Sequence, residues 1–320
     1  MTFKLDLKDK KILYELDLNC RKSSSQIAKK VGLSKEAVNY RIKRFEKENI
    51  ITHYQLIINL AKLNIYQFKL CLSLQHLKEE EIQSIIKKLK QKEYVKWIVS
   101  CHGNWDILVA IETINFERIN YIKDEVLELF KNNIREKSLS ILVEAETYAR
   151  SYFVDENSFR ESRIIMKTSS NEKIEELDLL ILKELSVNAR KSLVEIAQKL
   201  KTTPRIINYR MSQMEKNKVI LGYKIAINYE KLKIKFYKLF IYLSNIQVAK
   251  IKQLKNYLTN NKNIIHNVTV LGNWDLEPEI EVHSEKEFQK IITNLKDEFS
   301  DIIQKIDVIT ISKEHKFVYF

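Results

Sequence analysis

Hydrophobic residues in the first fifty positions fall three or four apart, as Ile12, Leu13 and Leu16, then Ile27, Ala28 and Val31, then Val38, Ile42 and Phe45. That period lines one side of an α-helix, so three short helices are predicted. Ser23 with Gln26, and Ser34, suit the N-caps of the second and third, where a side-chain oxygen satisfies a backbone N–H that the helix leaves unpaired. Gly32-Leu33 supplies the turn between them. Beyond residue 60 the pattern changes to alternating or wholly apolar runs at 68–74, 94–101, 105–111 and 138–143, interleaved with amphipathic stretches at 78–91 and 116–131. The order βαββαβ is the ferredoxin-like one, an antiparallel sheet with helices on one face. Residues 50–58 form a strand joining the helical head to the sheet.

The pattern then recurs. Asn39-Tyr40-Arg41 returns as Asn208-Tyr209-Arg210, Arg21-Lys22-Ser23 as Arg190-Lys191-Ser192, and Gly103-Asn104-Trp105-Asp106 as Gly272-Asn273-Trp274-Asp275, all at an offset of 169. One offset without gaps across three separate motifs marks a duplication. Thr203-Pro204 gives the second copy an N-cap followed by proline at the first helical position. The later elements recur near Tyr237, Gln247, Ile264, Trp274, Ser284 and Gln304, and the joining strand at 219–227. Phe320 maps back to Ser151, so 152–173 has no equivalent and reads as a linker, with a short helix at 159–166. Residues 316–320 form a closing strand whose counterpart is 148–151. The predicted architecture is α+β in five parts: a helix-turn-helix head at 1–60, a ferredoxin-like domain at 61–151, the linker at 152–173, a second head at 174–229 and a second ferredoxin-like domain at 230–320.

Composition narrows the function. Only 4 Gly are present, far apart, so clustered-glycine phosphate loops are excluded. The chain carries +13, of which residues 1–50 hold +6 and residues 170–219 hold +3, which concentrates attraction to a polyanion on the two heads. The 3 cysteines lack CxxC spacing and the 6 histidines lack metal-ligand spacing, so no disulfide framework and no metal or other cofactor is expected. No Ser/His/Asp set or carboxylate pair suggests an enzyme. The N-terminal residues have no apolar signal core, and no stretch approaches the ~18 apolar residues of a membrane span, so a cytoplasmic location without membrane contact is expected.

Two helices joined by a tight turn, the second basic and capped, have the geometry that enters a DNA major groove. Away from its apolar stripe the third helix offers Lys35, Glu36, Asn39, Tyr40 and Lys43, with Ser34 at its start and Arg41 and Arg44 beside them. Its second-copy equivalent offers Thr203, Arg205, Asn208, Tyr209, Arg210 and Ser212. Asparagine pairs bidentately with adenine, whereas Arg and Lys suit guanine or phosphate. Arg21, Lys22 and Ser23, and Arg190, Lys191 and Ser192, are placed for phosphate at the start of the second helix. Arg41 and Arg210 stand where an arginine alternatively buttresses the helix from within. A packing module with a solvated basic face is the plain alternative, and the concentrated charge and repeated Asn-Tyr-Arg weigh against it.

The run LSKEAVNYRIKRFEKENII over 33–51 resembles the recognition helix and the start of the wing in the Lrp/AsnC, or feast/famine, transcription regulators. DLLILKEL over 178–185 with Asn188-Ala189-Arg190 is similar to the family's first helix, and VILGYKIAIN over 219–228 with Lys231-Leu232 to its connecting strand. The resemblance implies two winged helix-turn-helix heads, two RAM-type ferredoxin-like domains, double-stranded DNA as partner and a small amino acid-like effector. It also implies effector contact at the G-x-x-D loops, here Gly103, Asn104 and Asp106, and Gly272, Asn273 and Asp275. The alternative for these residues is a tight turn, which uses Gly and Asp for their own sake. Family members hold one head and one sheet per chain and pair as homodimers, so this chain reads as an intramolecular pseudo-dimer, and a dimer of tandem chains fits as well. Glu277, Glu279 and Glu281, around Pro278, mark one strand face of the second copy as wet or facing a cation, with an acidic patch repelling DNA as the alternative. The resemblance leaves two competing functions: a siroheme-decarboxylase-like enzyme, whose His- and Arg-rich motif has no match here, and a sensing module whose heads no longer read DNA.

Overall fold

The computed structural model describes residues 4–154, 163–167, 173–245 and 247–318. The first copy comprises α1 (Leu7–Leu18), α2 (Ser24–Val31), α3 (Lys35–Lys47), β1 (Ile51–Ile58), β2 (Tyr66–Leu74), α4 (Glu79–Gln91), β3 (Val95–Gly103), β4 (Ile107–Thr113), α5 (Arg118–Glu128) and β5 (Ile134–Tyr148). After β6 (Arg163–Lys167) the second copy comprises α6 (Glu176–Val187), α7 (Leu193–Lys199), α8 (Pro204–Lys216), β7 (Ile220–Ile227), the single turn α9 (Tyr229–Leu232), β8 (Lys235–Leu243), α10 (Val248–Asn260), β9 (Ile264–Leu271), β10 (Leu276–Val282), α11 (Glu285–Glu298) and β11 (Ile303–Phe317). The helix expected at 159–166 is not what forms at its described end: 163–167 are β6, antiparallel to β5, and 159–162 lie outside the described residues. Residues 316 and 317 are the end of β11, while 319–320 also lie outside them.

Local chemistry sets the head helices as expected. Ser23 Oγ accepts from the Gln26 N–H while Gln26 returns a bond to the Ser23 N–H, Ser34 accepts from Ala37 at 3.1 Å, and Thr203 caps the Pro204-led helix. Gly32, at φ 66°, closes α2 in the left-handed conformation that glycine adopts without steric cost.

The four strands of each copy lie in the order β5-β2-β4-β3 and β11-β8-β10-β9, and the two sheets join along both edges, β3 to β11 and β5 to β9. Eight strands therefore close into one barrel, which removes the unpaired sheet edges that a single copy would expose. Helices α4 and α5 cover the outer face of one half, packing Ile86, Leu89, Ile122 and Val126 on Phe68, Ile98 and Val109; α10 and α11 cover the other half equivalently. Because strand side chains alternate, the opposite positions face inward. One part of the interior is an apolar plug of Cys71, Cys101, Phe240, Val270, Trp105 and Trp274, the two indoles 6.1 Å apart.

The joining strands do something the sequence reading did not anticipate. Instead of extending the sheets, β1 and β7 pair with each other in an antiparallel ribbon, with Leu56 opposite Tyr223. Both strands are apolar on more than one side, and each needs cover from both heads. The heads consequently share one core, in which Ile12, Leu16 and Phe45 join Leu182, Met214 and Ile225.

Candidate nucleic-acid interface and barrel cavity

The recognition helices present unequal faces. On α3, Lys35 and Lys43 are exposed, and Tyr40 is 68% exposed; on α8, Arg205 and Asn208 are exposed and Tyr209 is 59% exposed. The asparagines differ in circumstance. Asn39 is half-buried and accepts a hydrogen bond from the Ser24 hydroxyl, whereas Leu193 occupies the position equivalent to Ser24 and Asn208 is exposed, without a side-chain hydrogen bond among the described residues. Ser23, Ser34, Ser192 and Thr203 are occupied as caps at the ends of their helices.

The arginines expected at phosphate are employed elsewhere. Arg21 donates through Nη1 to the carbonyls of Ala189 and Lys191 at 2.7 and 2.9 Å and lies over the Tyr223 ring; Arg190 mirrors it, donating to the Cys20 carbonyl at 2.5 Å over Tyr54. This reciprocal pair locks head to head, because a guanidinium supplies several donors in one plane and stacks on an aromatic face. Arg41 bonds Asp6 and Asp9, Arg44 bonds Asp9, and Arg210 bonds Asp178 and Glu175, so these three fasten the recognition helix to the first helix of its own head. Lys22 and Lys191 pair with Glu15 and Glu184 at 2.6 and 2.5 Å. A sequence cannot distinguish such an arginine from one aimed at DNA, since both sit one turn from the apolar stripe.

The Gly-Asn-Trp-Asp loops make structural contacts. Asp106 accepts from the Leu74 N–H at 2.6 Å and Asp275 from the Leu243 N–H at 2.8 Å, which caps the neighbouring strand of the same sheet. A Cβ on Gly103, whose φ is +133°, would stand 2.6 Å from the Val308 carbonyl, and one on Gly272 would press on Leu139 and Ser140. Both glycines lie at the two seams that close the barrel. Asn104 and Asn273 lie in the same loops, exposed.

What the sequence reading missed is the ionic interior. Lys69 and Lys238, equivalent residues of β2 and β8, both point at Glu277, which is fully buried; Lys238 also bonds Glu279 at 2.8 Å. Burial alone would raise the Glu277 carboxyl, but the two ammonium groups outweigh it and hold it at about 2. The glutamate face is thus the cation-facing one, not a wet or DNA-repelling patch. The sequence signal was a lysine at one inward position of each first strand, opposite the alternating glutamates.

A second buried network ties the heads to the barrel. Arg150, just after β5, bonds Asp17 of α1 at 2.7 Å and Glu281 of β10 at 2.9 Å, while Lys224 of β7 bonds Asp17 at 2.8 Å and the Tyr148 carbonyl at 3.0 Å. Between this network and the lysines, at the barrel end covered by the β1–β7 ribbon, lies a cavity of about 160 Å³. Trp97, Phe236, Phe317, His266 and Glu314 are among its walls. His266 bonds Thr147 at 2.8 Å, and burial lowers its pKa, so the ring is neutral at pH 7. Glu314, an exposed residue of β11, accepts from Trp97 Nε1 at 3.0 Å. Among the described residues no group of side chains is arranged to hold a metal, and no helix is long and apolar enough to cross a membrane.

Comparison with known proteins agrees with the architecture. Residues 5–52 and 174–220 both match the family described as winged helix-turn-helix DNA-binding. An HTH-type transcriptional regulator of Pyrococcus furiosus is 34% identical over 131 residues, 40% of this chain and 85% of that relative. The HTH-type transcriptional regulator LrpA of Pyrococcus horikoshii is 33% identical over 107 residues, 33% of this chain and 74% of LrpA. A solved siroheme decarboxylase, NirDL, superposes with a TM-score of 0.62 over 98% of this chain and 94% of its own, at 10% identity, a likeness of fold alone. Relatives that are nearly spanned by well under half of this chain are single units of what is here double. The chain belongs to the Lrp/AsnC family of HTH-type, DNA-binding transcription regulators and carries the family's head-and-sheet unit twice.

Proposed function

We propose that this chain is a cytoplasmic regulator that acts as its own pseudo-dimer, reads an operator of two unequal half-sites, and answers to a small amino acid-like effector. The observation that carries the reading is the pair of exposed recognition faces fixed on one shared core by Arg21 and Arg190. Lys35, Tyr40 and Lys43 meet one half-site; Arg205, Asn208 and Tyr209 meet the other. Helix N-termini capped by Ser23, Ser34, Ser192 and Thr203 turn backbone N–H groups toward phosphate. Arg150 and Lys224, shared between cavity wall and heads, supply a physical connection from effector to DNA.

The fold likeness to NirDL raises an enzymatic reading, and the interior charges weigh against it. Lys69, Lys238, Arg150 and Lys224 are each already paired with a buried carboxylate, which leaves none of them for the acid groups of a tetrapyrrole. The test is to retain fragmented genomic DNA on the purified chain, sequence it, and repeat at higher salt. Enrichment of few sites with two dissimilar halves, lost steeply with salt, is the expected result. Uniform retention, or none, overturns the operator reading.

A further inference from the structure

The two heads meet the barrel differently. The first head is held by Arg150, which bonds Asp17 on α1 and, through Nε and Nη2, Glu281 on β10; Lys224 and the Tyr152 hydroxyl complete that junction. The repeat places Glu112 of β4 at the position of Glu281, but it puts Tyr319 at that of Arg150, Gln55 at that of Lys224 and Ser186 at that of Asp17. The acid is kept and its cations are not. Glu112 is 6% exposed; Gln67 Nε2 donates to one carboxylate oxygen at 3.0 Å, and the other oxygen is buried with no hydrogen-bond partner. Burial raises the carboxyl to about 7, and Lys96, the cation that faces it, makes no ion pair with it. A buried carboxylate oxygen costs free energy until it is bonded.

Where the first junction is filled, the second is an open cleft of about 710 Å³ between the first half of the barrel and α6 of the second head, with Glu112 in its wall. That size is in the range of small-molecule sites. Arg118 on α5 and Lys183 on α6 are exposed and Lys96 is half-buried, and none of the three makes an ion pair among the described residues. Lys316 spends its ammonium on the Lys90 and Lys92 carbonyls, and Glu93 is the other acid of the wall. Ile65, Ile122 and Val318 add apolar surface. One buried acid short of a donor, beside three cations short of an acid, suits a ligand that carries both signs.

We propose that this cleft binds a small zwitterion with a guanidinium or ammonium group at one end and a carboxylate at the other, its cation at Glu112, in the place that Arg150 takes at Glu281, and its carboxylate at Arg118 and Lys183. A guanidinium matches the site most closely, because its planar fork meets a carboxylate with two donors at once. A purely anionic ligand meets Glu112, and a purely cationic one meets the three free cations, so each forfeits half of the site. The cleft is separate from the barrel cavity and shares no wall residue with it. Since Lys183 belongs to the second head, the occupant ties that head to the barrel as Arg150 ties the first. The consequence for operator binding, which rests on the DNA-binding reading above, is a fixed spacing of the two recognition helices.

Calorimetric titration of the full chain at pH 8, where Glu112 is ionised, tests this with L-arginine, with agmatine, which lacks the carboxylate, and with L-citrulline, whose side chain is uncharged. Binding of arginine, at least tenfold weaker binding of the other two, and at least a tenfold loss of arginine affinity in Glu112→Gln are expected. Lys183→Ala changes an exposed residue without threatening the fold, and is expected to weaken arginine several-fold while leaving agmatine as it was. Absence of arginine binding, agmatine or citrulline bound as tightly as arginine, or unchanged arginine affinity in Glu112→Gln overturns the proposal. Operator retention is read in parallel on the same samples: its failure beside intact arginine binding counts against the DNA reading and leaves the ligand site standing.

Discussion

Strand β4 runs Ile-Leu-Val-Ala-Ile-Glu over 107–112, and its equivalent β10 runs Leu-Glu-Pro-Glu-Ile-Glu over 276–281. Leu108 thus corresponds to Glu277 and Ala110 to Glu279, while the inward lysine is kept in both copies as Lys69 and Lys238. Two identical copies of the first kind would close a barrel around two ammonium groups with no acid between them. One chain holding both copies can place the acids in one half alone, where Glu277 serves both lysines. Pro278 is tolerated because the β8 ladder skips from Leu276 to Glu279 at that point. The same freedom sets Asn39, bonded to Ser24, against the exposed Asn208. Duplication within a chain allows asymmetry at positions where a homodimer must repeat itself.

The largest test of that contrast is Glu277→Gln. It leaves two buried ammonium groups short of their shared partner, and a loss of about 3–5 kcal/mol in denaturant unfolding is expected; a loss near that of an exposed substitution would break the account. Acid unfolding follows next. Glu277 has its carboxyl at about 2 in the fold against 4.5 as the ordinary value, so it contributes stability above 4.5 that is lost as the pH falls through 2. The loss is about 3 kcal/mol. Glu277→Gln is expected to flatten that part of the stability–pH curve.

Between the heads, Asn208→Ala is expected to cost about 1–3 kcal/mol of operator preference with stability unchanged. Asn39→Ala should instead lower stability by about 1 kcal/mol through the lost Ser24 bond. Equal effects of the two on site preference, measured by competition with nonspecific DNA, would erase the distinction. The smallest effect concerns charge. Lys43→Ala should reduce the slope of log affinity against log salt by about 1, whereas Arg21→Ala, which removes a head-to-head contact, should leave the slope alone and lower the thermal midpoint.

Much of the recognition surface was legible because a helix reports its faces in sequence: positions between the apolar stripe residues Val38, Ile42 and Phe45 must point outward. Tyr40, Lys43, Arg205 and Tyr209 do so. Arginines resist this logic, since their length lets Arg21 and Arg190 reach the other head and Arg41 and Arg210 turn back on their own. The G-x-x-D loops resist it for a different reason. Gly and Asp are chosen identically by a ligand site and by a strand seam, and the packing of Gly103 on the Val308 carbonyl across that seam has no local sequence signal.

The sequence by itself determined the duplication, the three-helix heads with their caps, and the βαββαβ order, because periodicity, capping and turn chemistry act over a few residues. The tertiary structure decided the closed barrel, the β1–β7 ribbon and the cavity. These depend on partners brought together from opposite copies, such as Lys69 and Glu277, separated by 208 positions in the chain. Whether two charges that distant neutralise one another follows from their separation in space, which no local pattern encodes.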